Sequence, residues 1–161
     1  MKKFNINNQL SFLILIILAF SFPRLAYSQN AKEVCNVLRA ESNSIQSQLP
    51  ISVDYTTKVI GLSVVYDGKV CLMQYSYLVD TSAFLSTLRN DGLSEEDSFS
   101  WLKGISGQDY LKSAFKEMAK DAKANQFKHF SNYKNVKVMY LHAFDVFGLP
   151  TISTLVVDTE N

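Results

Sequence analysis

Few residues in this sequence could act as acids, bases or metal ligands. The two histidines, His129 and His142, are thirteen positions apart, with no His-Glu-x-x-His or other paired-ligand spacing. No serine stands in a Gly-x-Ser-x-Gly context, and no glycine-rich loop could cradle a phosphate. The sequence therefore identifies no catalytic residue, no metal ligand and no cofactor-binding residue, and we expect no cofactor.

His142 lies in a segment where apolar residues alternate with others, which is typical of a strand with one buried face. This position predicts a half-buried histidine that is satisfied by a hydrogen bond. The alternative interpretation is a small periplasmic enzyme or small-ligand carrier, with a cavity near His142 between helices and sheet. His129 follows a predicted helix, and we expect it at the surface, where a helix C-terminus stabilises a cation.

Cys35 and Cys71 are the only cysteines in the chain. Cys35 falls on the apolar face of a predicted helix and Cys71 on the apolar side of a predicted hairpin. Because an even pair in an oxidising compartment usually pairs, we expect a disulfide between them. Two buried free thiols are the alternative, and a catalytic thiol has no Cys-x-x-Cys motif to support it.

The first 28 residues have the layout of a secretory signal peptide. Lys2 and Lys3 precede a thirteen-residue apolar run over residues 10–22, and Ala26-Tyr27-Ser28 provides small residues at a cleavage site before Gln29. The run is short for a membrane span, which needs about 20 residues. We therefore expect cleavage, no stable membrane span afterwards, and a periplasmic protein, with secretion to the exterior as the alternative.

The mature chain, residues 29–161, has the length of one domain. The predicted signal peptide removes Lys2, Lys3 and Arg24 and no acid, so 13 basic and 15 acidic residues remain, a formal charge of −2. A near-neutral chain argues against nucleic acid as a partner, since phosphate binding needs clustered positive charge. The many tyrosines and phenylalanines suit both a core and a contact surface.

A helix over residues 31–49 is predicted to precede a β-hairpin over residues 57–79. Asp67-Gly68 predicts a two-residue type I′ turn between the two strands. That turn would set Val64 opposite Cys71, Leu62 opposite Met73 and Ile60 opposite Tyr75. All six side chains would then share the apolar face, and Cys71 could meet Cys35.

The second half of the chain repeats this order. Residues 81–105 are predicted as short helices capped by Thr81 and Ser94, the first ending at Asn90-Asp91-Gly92, and residues 108–127 as a long helix. A second hairpin follows over residues 135–158. The fold class is therefore a single α+β domain with an antiparallel sheet and two helix–strand–strand units, with duplication as one explanation. Both faces of the second hairpin carry apolar residues, so its core face is not assigned.

Four lysines on the long helix and one tryptophan are the candidate partner-binding residues. The spacing of the lysines places them on one side of the helix, where they form either a solvated face or a basic patch for an acidic partner. The aromatic ring could serve as a contact. These residues are Lys112, Lys116, Lys120, Lys123 and Trp101.

Several short motifs resemble those of small, poorly characterised exported bacterial proteins. They are Asn43, Leu49-Pro50, Val53-Asp54, Thr57, Tyr75-x-Tyr77 and the Asp145-x-x-Gly148 hairpin turn. The resemblance implies a periplasmic α+β domain and carries no catalytic residues. Together with the signal, the cysteine pair and the aromatic content, it favours a non-enzymatic exported protein that binds a macromolecular partner. An inhibitor, an immunity-type protein or an accessory of envelope or secretion machinery would fit.

Overall fold

The computed structural model describes residues 30–89 and 94–160. The predicted signal peptide and the predicted helix end at Asn90-Asp91-Gly92 lie outside these residues. The elements are α1 (Ala31–Gln46), β1 (Ile51–Ser52), β2 (Thr57–Tyr66), β3 (Cys71–Val79), α2 (Thr81–Arg89), α3 (Glu95–Lys103), α4 (Ile105–Asn125), a 3-10 helix (Lys128–Asn132), β4 (Val136–Phe144) and β5 (Ile152–Asp158).

Helix α1 begins at a side-chain cap and buries one apolar stripe. The Asn30 Oδ1 atom accepts a hydrogen bond from the Glu33 backbone N–H at 3.0 Å, which satisfies one of the unpaired donors of the first turn. The helix ends at Gln46, three residues before the predicted end, and Leu49 packs at the margin of the core. The predicted stripe is buried and consists of Val34, Cys35, Leu38 and Ile45.

The five strands form one sheet in the order β1-β2-β3-β4-β5. Each hairpin is antiparallel, and β3 pairs with β4 in parallel. A parallel pair needs a long crossover connection, and helices α2, α3 and α4 supply it. The predicted single α+β domain is confirmed, and its sheet is mixed because the two hairpins meet in parallel.

The first hairpin is present, but its predicted register is wrong by two residues. Tyr66 pairs with Cys71, and Val64 pairs with Met73. The reason is the turn: the Asp67 carboxylate accepts the backbone N–H groups of residues 69 and 70, at 2.8 and 2.7 Å, and stabilises a four-residue connection. Because the shift is an even number, every side chain except that of Ile60 keeps its predicted face.

Ile60 is exposed although it was predicted on the core face. The pairing of β2 with β3 shifts between Val59 and Gly61, which is a β-bulge. A bulge inserts an extra residue and turns one side chain outward. A Cβ atom at Gly61 would lie 3.4 Å from the Ser76 Cβ atom across the strands, so a small residue suits this position.

Two of the helices between the hairpins, α2 and α3, begin at capping side chains. Asp80 caps α2, because its carboxylate accepts the Ala83 backbone N–H at 2.8 Å; Thr81, the predicted cap, is the first helical residue. Ser94 caps α3 as predicted and accepts the Asp97 backbone N–H at 3.1 Å, while the hydroxyl donates back to the Asp97 carboxylate.

Helix α4 begins at Ile105, three residues before its predicted start. The additional turn packs on the end of α3, where a Cβ atom at Gly107 would collide with the Trp101 carbonyl. Glycine is needed for this close approach. Of the predicted buried stripe of α4, Leu111, Phe115 and Ala122 are buried, whereas Met118 is half-buried and Ala119 lies in the core instead.

The turn of the second hairpin is held against the rest of the fold. Residues 145–151 connect the strands, and the predicted turn residues 145–148 lie within this connection, with Gly148 at φ 95°. The Asp145 carboxylate accepts the Thr81 backbone N–H at 2.9 Å, and the Asp145 N–H donates to the Val79 carbonyl at 3.1 Å. The core face that the sequence left unassigned carries Val136, Val138, Tyr140, His142 and Phe144.

All four helices lie on one face of the sheet, which we call the inner face. It carries two hydrophobic clusters, one involving α1 and the C-terminal part of α4, the other α2, α3 and the N-terminal part of α4. The predicted Cys35–Cys71 disulfide is confirmed and joins α1 to β3, with the two Cα atoms 5.3 Å apart. In the described ranges, no helix has the length and hydropathy that crossing a bilayer requires.

Candidate functional site

His142 lies where the two hydrophobic clusters meet. Strand β4 directs its side chain to the inner face, and the residue is only 1% exposed. Its ring stacks on Phe115 from α4, with centroids 3.9 Å apart, and on Tyr77 from β3, at 4.9 Å. The interplanar angles of 6° and 11° show that both contacts are face to face. The imidazole is therefore covered by aromatic rings.

The protonation of His142 follows from this burial. Its Nδ1 atom has no hydrogen-bond partner among the described residues, which differs from the predicted satisfied histidine. Loss of water around the ring disfavours the charged form and lowers the pKa of His142 to about 4. The ring is thus neutral at physiological pH.

Three tyrosines extend the cluster around His142. Tyr75 and Tyr140 are buried edge to face, with centroids 5.6 Å apart, and Tyr77 lies against Tyr140 at 5.1 Å. The Tyr140 hydroxyl donates to the Gln126 amide oxygen at 3.4 Å. Burial raises the pKa values of all three phenols, so they remain neutral donors.

This arrangement does not present an assembled acid–base site. No described carboxylate hydrogen-bonds to His142, and both faces of its ring are occupied. Among the described residues, no group of three or more histidines, cysteines and acids could hold a metal ion. The aromatic rings instead fill the space where the two hydrophobic clusters meet.

His129 differs from its prediction as a surface cation. It is half-buried in the 3-10 helix, and its ring lies 4.5 Å from that of Phe130. Burial lowers the pKa of His129, which is the opposite of stabilisation by a helix end. The neighbouring residues Phe127 and Phe130 belong to the first hydrophobic cluster, so this segment lies against the core.

The four predicted lysines, Lys112, Lys116, Lys120 and Lys123, are exposed along α4, and we call them the lysine face. Two of them form ion pairs one turn away on the same helix: Lys112 with Asp109 at 3.5 Å, and Lys120 with Glu117. Lys116 and Lys123 form no ion pair with any residue in the described ranges. The helix therefore presents a mixed surface with an excess of positive charge.

Trp101 is half-buried, so it is only partly available as a contact residue. Its ring lies 5.4 Å from that of Tyr110 on α4, and it packs against the second hydrophobic cluster. The structure therefore places Trp101 against the N-terminal part of α4 on the side of Tyr110, which is about 160° around the helix axis from Lys112.

An apolar surface that sequence reasoning missed lies at the second hairpin turn. Phe147 is 100% exposed, and Val146 beside it is partly exposed. Ile105, at the start of α4, is 82% exposed. Lys103, two residues before Ile105, comes close to the turn, because a Cβ atom at Gly148 would lie 3.3 Å from its Cε atom. We call Ile105, Val146 and Phe147 the apolar tip.

A sequence signal for the apolar tip exists. Tight turns usually hold glycine, proline, asparagine, aspartate or serine, and here valine and phenylalanine precede Gly148. Neither residue helps the turn to form. An apolar pair in this position therefore indicates a role outside the folding of the chain.

Comparison with known proteins secures no family. No protein-family model matches the chain, and no curated protein is similar to it. One crystal structure is similar, that of a protein from Pseudomonas aeruginosa thought to be secreted, with 10% identity over 80% of this chain and 95% of that one and a TM-score of 0.44. A likeness at this level carries no argument about function. The disulfide itself indicates an exported protein, here one with a single α+β domain.

Proposed function

We propose that this exported protein is not an enzyme and that it binds a macromolecular partner through the apolar tip. An inhibitor, an immunity-type protein or an accessory of an envelope or secretion machine is the class of function that fits. The full exposure of Phe147 is the observation that supports the proposal most strongly. Large aromatic side chains that insert into a partner's pocket often dominate the binding energy of an interface.

The energetic argument concerns what Phe147 would gain from a partner. Burying a phenylalanine side chain is worth about 1.5–3 kcal/mol relative to leaving it in water. The fold does not gain this energy, because the side chain stands clear of the described residues. A partner with an apolar pocket could gain it, and Ile105 would add a second anchor.

The apolar tip is held in place before binding. Hydrogen bonds from Thr81 and to Val79 fix the start of the turn, and Leu149 at its end packs against the second hydrophobic cluster. The Lys103 side chain lies against Gly148. A turn held at both ends loses little conformational entropy on binding, which favours affinity.

The apolar tip continues into the lysine face. At about 100° per residue, Ile105 lies within about 20° of Lys112, Lys116 and Lys123 around the α4 axis. One side of the helix therefore begins with an exposed isoleucine and continues with cations, two of them without an ion-pair partner among the described residues. An acidic protein that receives the tip could also contact these charges, which would steer association.

Site-specific photo-crosslinking tests the proposal. A benzoylphenylalanine at Phe147, with the protein exported in its own host, should give one discrete crosslinked adduct on illumination. The matched control places the same group at Tyr55, an aromatic residue that is 68% exposed elsewhere on the surface. Identical adduct patterns at the two positions, or none at Phe147, would count against the tip as a docking site.

The partner recovered in this way allows a quantitative test. Phe147→Asp should weaken its binding at least about 30-fold, the equivalent of about 2 kcal/mol. Tyr55→Asp should leave binding within about twofold, and neither change should alter the melting temperature noticeably. Equal losses of affinity for both variants would show that Phe147 contributes no more to binding than an exposed aromatic residue elsewhere.

Export by a cleaved signal peptide is part of the same proposal. Protein recovered from the envelope should begin at Gln29, within two residues, because cleavage follows Ala26-Tyr27-Ser28. N-terminal sequencing or intact mass would measure this directly. An intact species beginning at Met1 in the membrane fraction would contradict cleavage.

A further inference from the structure

The two edges of the five-stranded sheet differ in how they are covered. At one edge, β1 pairs with the first part of β2. Further along β2, Arg39 and Gln46 of α1 donate side-chain hydrogen bonds to the carbonyl oxygens of Val64 and Leu62. A short edge strand and side chains that occupy backbone groups both hinder the pairing of another strand. This edge of the sheet is therefore closed.

The other edge is the outward side of β5, which pairs with β4 on its inward side alone. Among the described residues, none forms a hydrogen bond with the outward backbone groups of residues 152–157. The β-bulge near Val138 falls beside the C-terminal half of β5, so residues 152–155 keep a regular register. The strand contains neither lysine nor proline, which commonly guard an edge. The β5 edge is thus open to a further strand.

The lysine face lies on the flank of α4 that borders this edge. Helix α4 packs on β5, and its Phe115 extends toward β4 to stack on His142. In a right-handed crossover, viewed from the helices with β3 and β4 pointing up, β5 is on the right and α4 runs downward in front of it. On a right-handed helix running downward, Lys116, about 100° after Phe115, points to the right. The lysines therefore project beyond the β5 edge.

Charge on α4 is sorted between its two exposed sides. The four residues of the lysine face lie within about 80° of one another around the axis. Glu117 and Asp121 lie about 100–140° from Lys116, on the side nearer to α3. Asp109 is the one acid among the lysines, so four cations stand against one carboxylate. The flank that borders the β5 edge therefore carries an excess of positive charge.

The apolar tip lies at the end of the sheet where β5 begins. The connection that carries Phe147 leads directly into Ile152, and Ile105 begins α4 beside it. A strand lying along β5 that continued past Ile152 would arrive at the tip. The open edge, the lysine face and the apolar tip are therefore parts of one surface.

We infer that an extended acidic segment of the partner adds to β5 as a sixth strand of the sheet. This inference rests on the proposed function, because it specifies the chemistry of the partner that the tip receives. Alternate residues of the added strand point to opposite faces. Carboxylates on the helix side meet Lys116 and Lys123. The other residues lie beside Ser153 and Leu155 on the outer face of the sheet, the face opposite the helices, where they cover part of the exposed leucine.

A capped eight-residue peptide of alternating threonine and glutamate tests the inference when titrated into the exported protein labelled with ¹⁵N. We expect saturable binding with a Kd of the order of 0.1–1 mM. The largest amide shifts should occur at residues 152–155, with little change at Ile51 and Ser52 on the opposite edge. The same peptide N-methylated at every residue keeps its charges but loses its backbone donors, so it should bind at least about tenfold more weakly.

Charge recognition is tested with lysine variants of the protein. Lys116→Gln combined with Lys123→Gln should weaken binding of the threonine–glutamate peptide about five- to tenfold. The matched control, Lys32→Gln combined with Lys58→Gln, removes two exposed charges away from β5 and should change the Kd less than twofold. Equal effects of the two double variants would contradict selection of an acidic segment by the lysine face.

Two outcomes of the peptide titration would overturn strand addition. One is the absence of binding at about 5 mM peptide, and the other is equal affinity for the N-methylated copy, which would mean that charge alone attracts the peptide. Photo-crosslinking at Phe147 separates this failure from that of the proposed function. A discrete adduct there without peptide binding would retain the tip and reject the β5 site, and peptide binding without an adduct would do the reverse.

Discussion

The two faces of the sheet are built from alternate residues of the same strands, yet they differ completely in environment. Leu62 on the inner face is 4% exposed, whereas Leu155 on the outer face is 51% exposed. Both are leucines in strands of similar length. The difference arises because all the helices pack on one side of the sheet. Residue type alone therefore does not decide which face forms the core.

The faces differ in chemistry as well as in burial. The inner face holds the disulfide, the stacked His142 and the buried tyrosines, while the outer face holds aliphatic, polar and charged side chains. Stability should therefore depend mainly on the inner face, whereas substitutions on the outer face should cost little.

Removal of the disulfide should have the largest effect on stability. Replacing Cys35 and Cys71 together with alanine opens a loop of 36 residues, which in the chain-entropy model costs about 4 kcal/mol. Chemical denaturation of the variant and the oxidised wild type measures the difference. A loss below about 1 kcal/mol would mean that the inner face is stabilised almost wholly by packing.

A matched pair of leucine truncations compares the two faces directly. Leu62→Ala should destabilise the fold by about 3 kcal/mol, because it leaves a cavity under α1. Leu155→Ala should cost less than about 1 kcal/mol, since its side chain is already half exposed to water. Similar losses for both leucines, measured in urea, would contradict the division of the faces.

The stacked His142 should make stability depend on pH. Its pKa of about 4 in the fold lies below the usual value near 6.5, so the unfolded chain binds the proton more tightly. The stability from the neutral ring is complete above about pH 6.5 and is lost as pH falls toward about 4, a change of about 2–3 kcal/mol. His142→Phe should keep the aromatic stack and remove this contribution.

The effect of His142 is the difference in unfolding free energy between His142→Phe and the wild type, because carboxylates also titrate at the acid end of this pH range. Unfolding free energies at pH 7, 5.5 and 4.5 would be measured for both proteins. We expect the variant to be within about 1 kcal/mol of the wild type at pH 7 and to be relatively more stable as the pH falls. Parallel pH curves would show that His142 does not titrate as inferred.

Sequence reasoning succeeded where a local pattern and burial agreed. The apolar spacing of α1 and the alternation of β2 and β3 placed Cys35 and Cys71 on facing surfaces, and the disulfide followed. The register failed because the Asp67 carboxylate stabilises a four-residue connection that the Asp-Gly pair alone does not reveal. The bulge that exposes Ile60 likewise depends on pairing between strands.

The candidate site was less accessible to sequence reasoning. The partners of His142, Phe115 and Tyr77, come from other elements and become neighbours only in the folded sheet. The Asp145-x-x-Gly148 spacing predicts the turn but does not by itself predict that Phe147 is exposed. An apolar residue in the centre of a tight turn is a local signal, and it could have been found.

The lysine face should give the smallest change in stability and a measurable change in binding. Lys112, Lys116, Lys120 and Lys123 are exposed, and the two ion pairs among them are worth at most a few tenths of a kcal/mol each. Changing all four to glutamine should therefore leave the melting temperature within about 2 °C of the wild-type value.

With an acidic partner, the same variant should associate more slowly and with a weaker dependence on salt, because these charges act mainly during encounter. Stopped-flow association at two ionic strengths measures this, with Lys58→Gln on β2 as a control for loss of a distant charge. Unchanged kinetics with the true partner would reduce the lysines to a solvated helix face and leave the apolar tip as the whole binding surface.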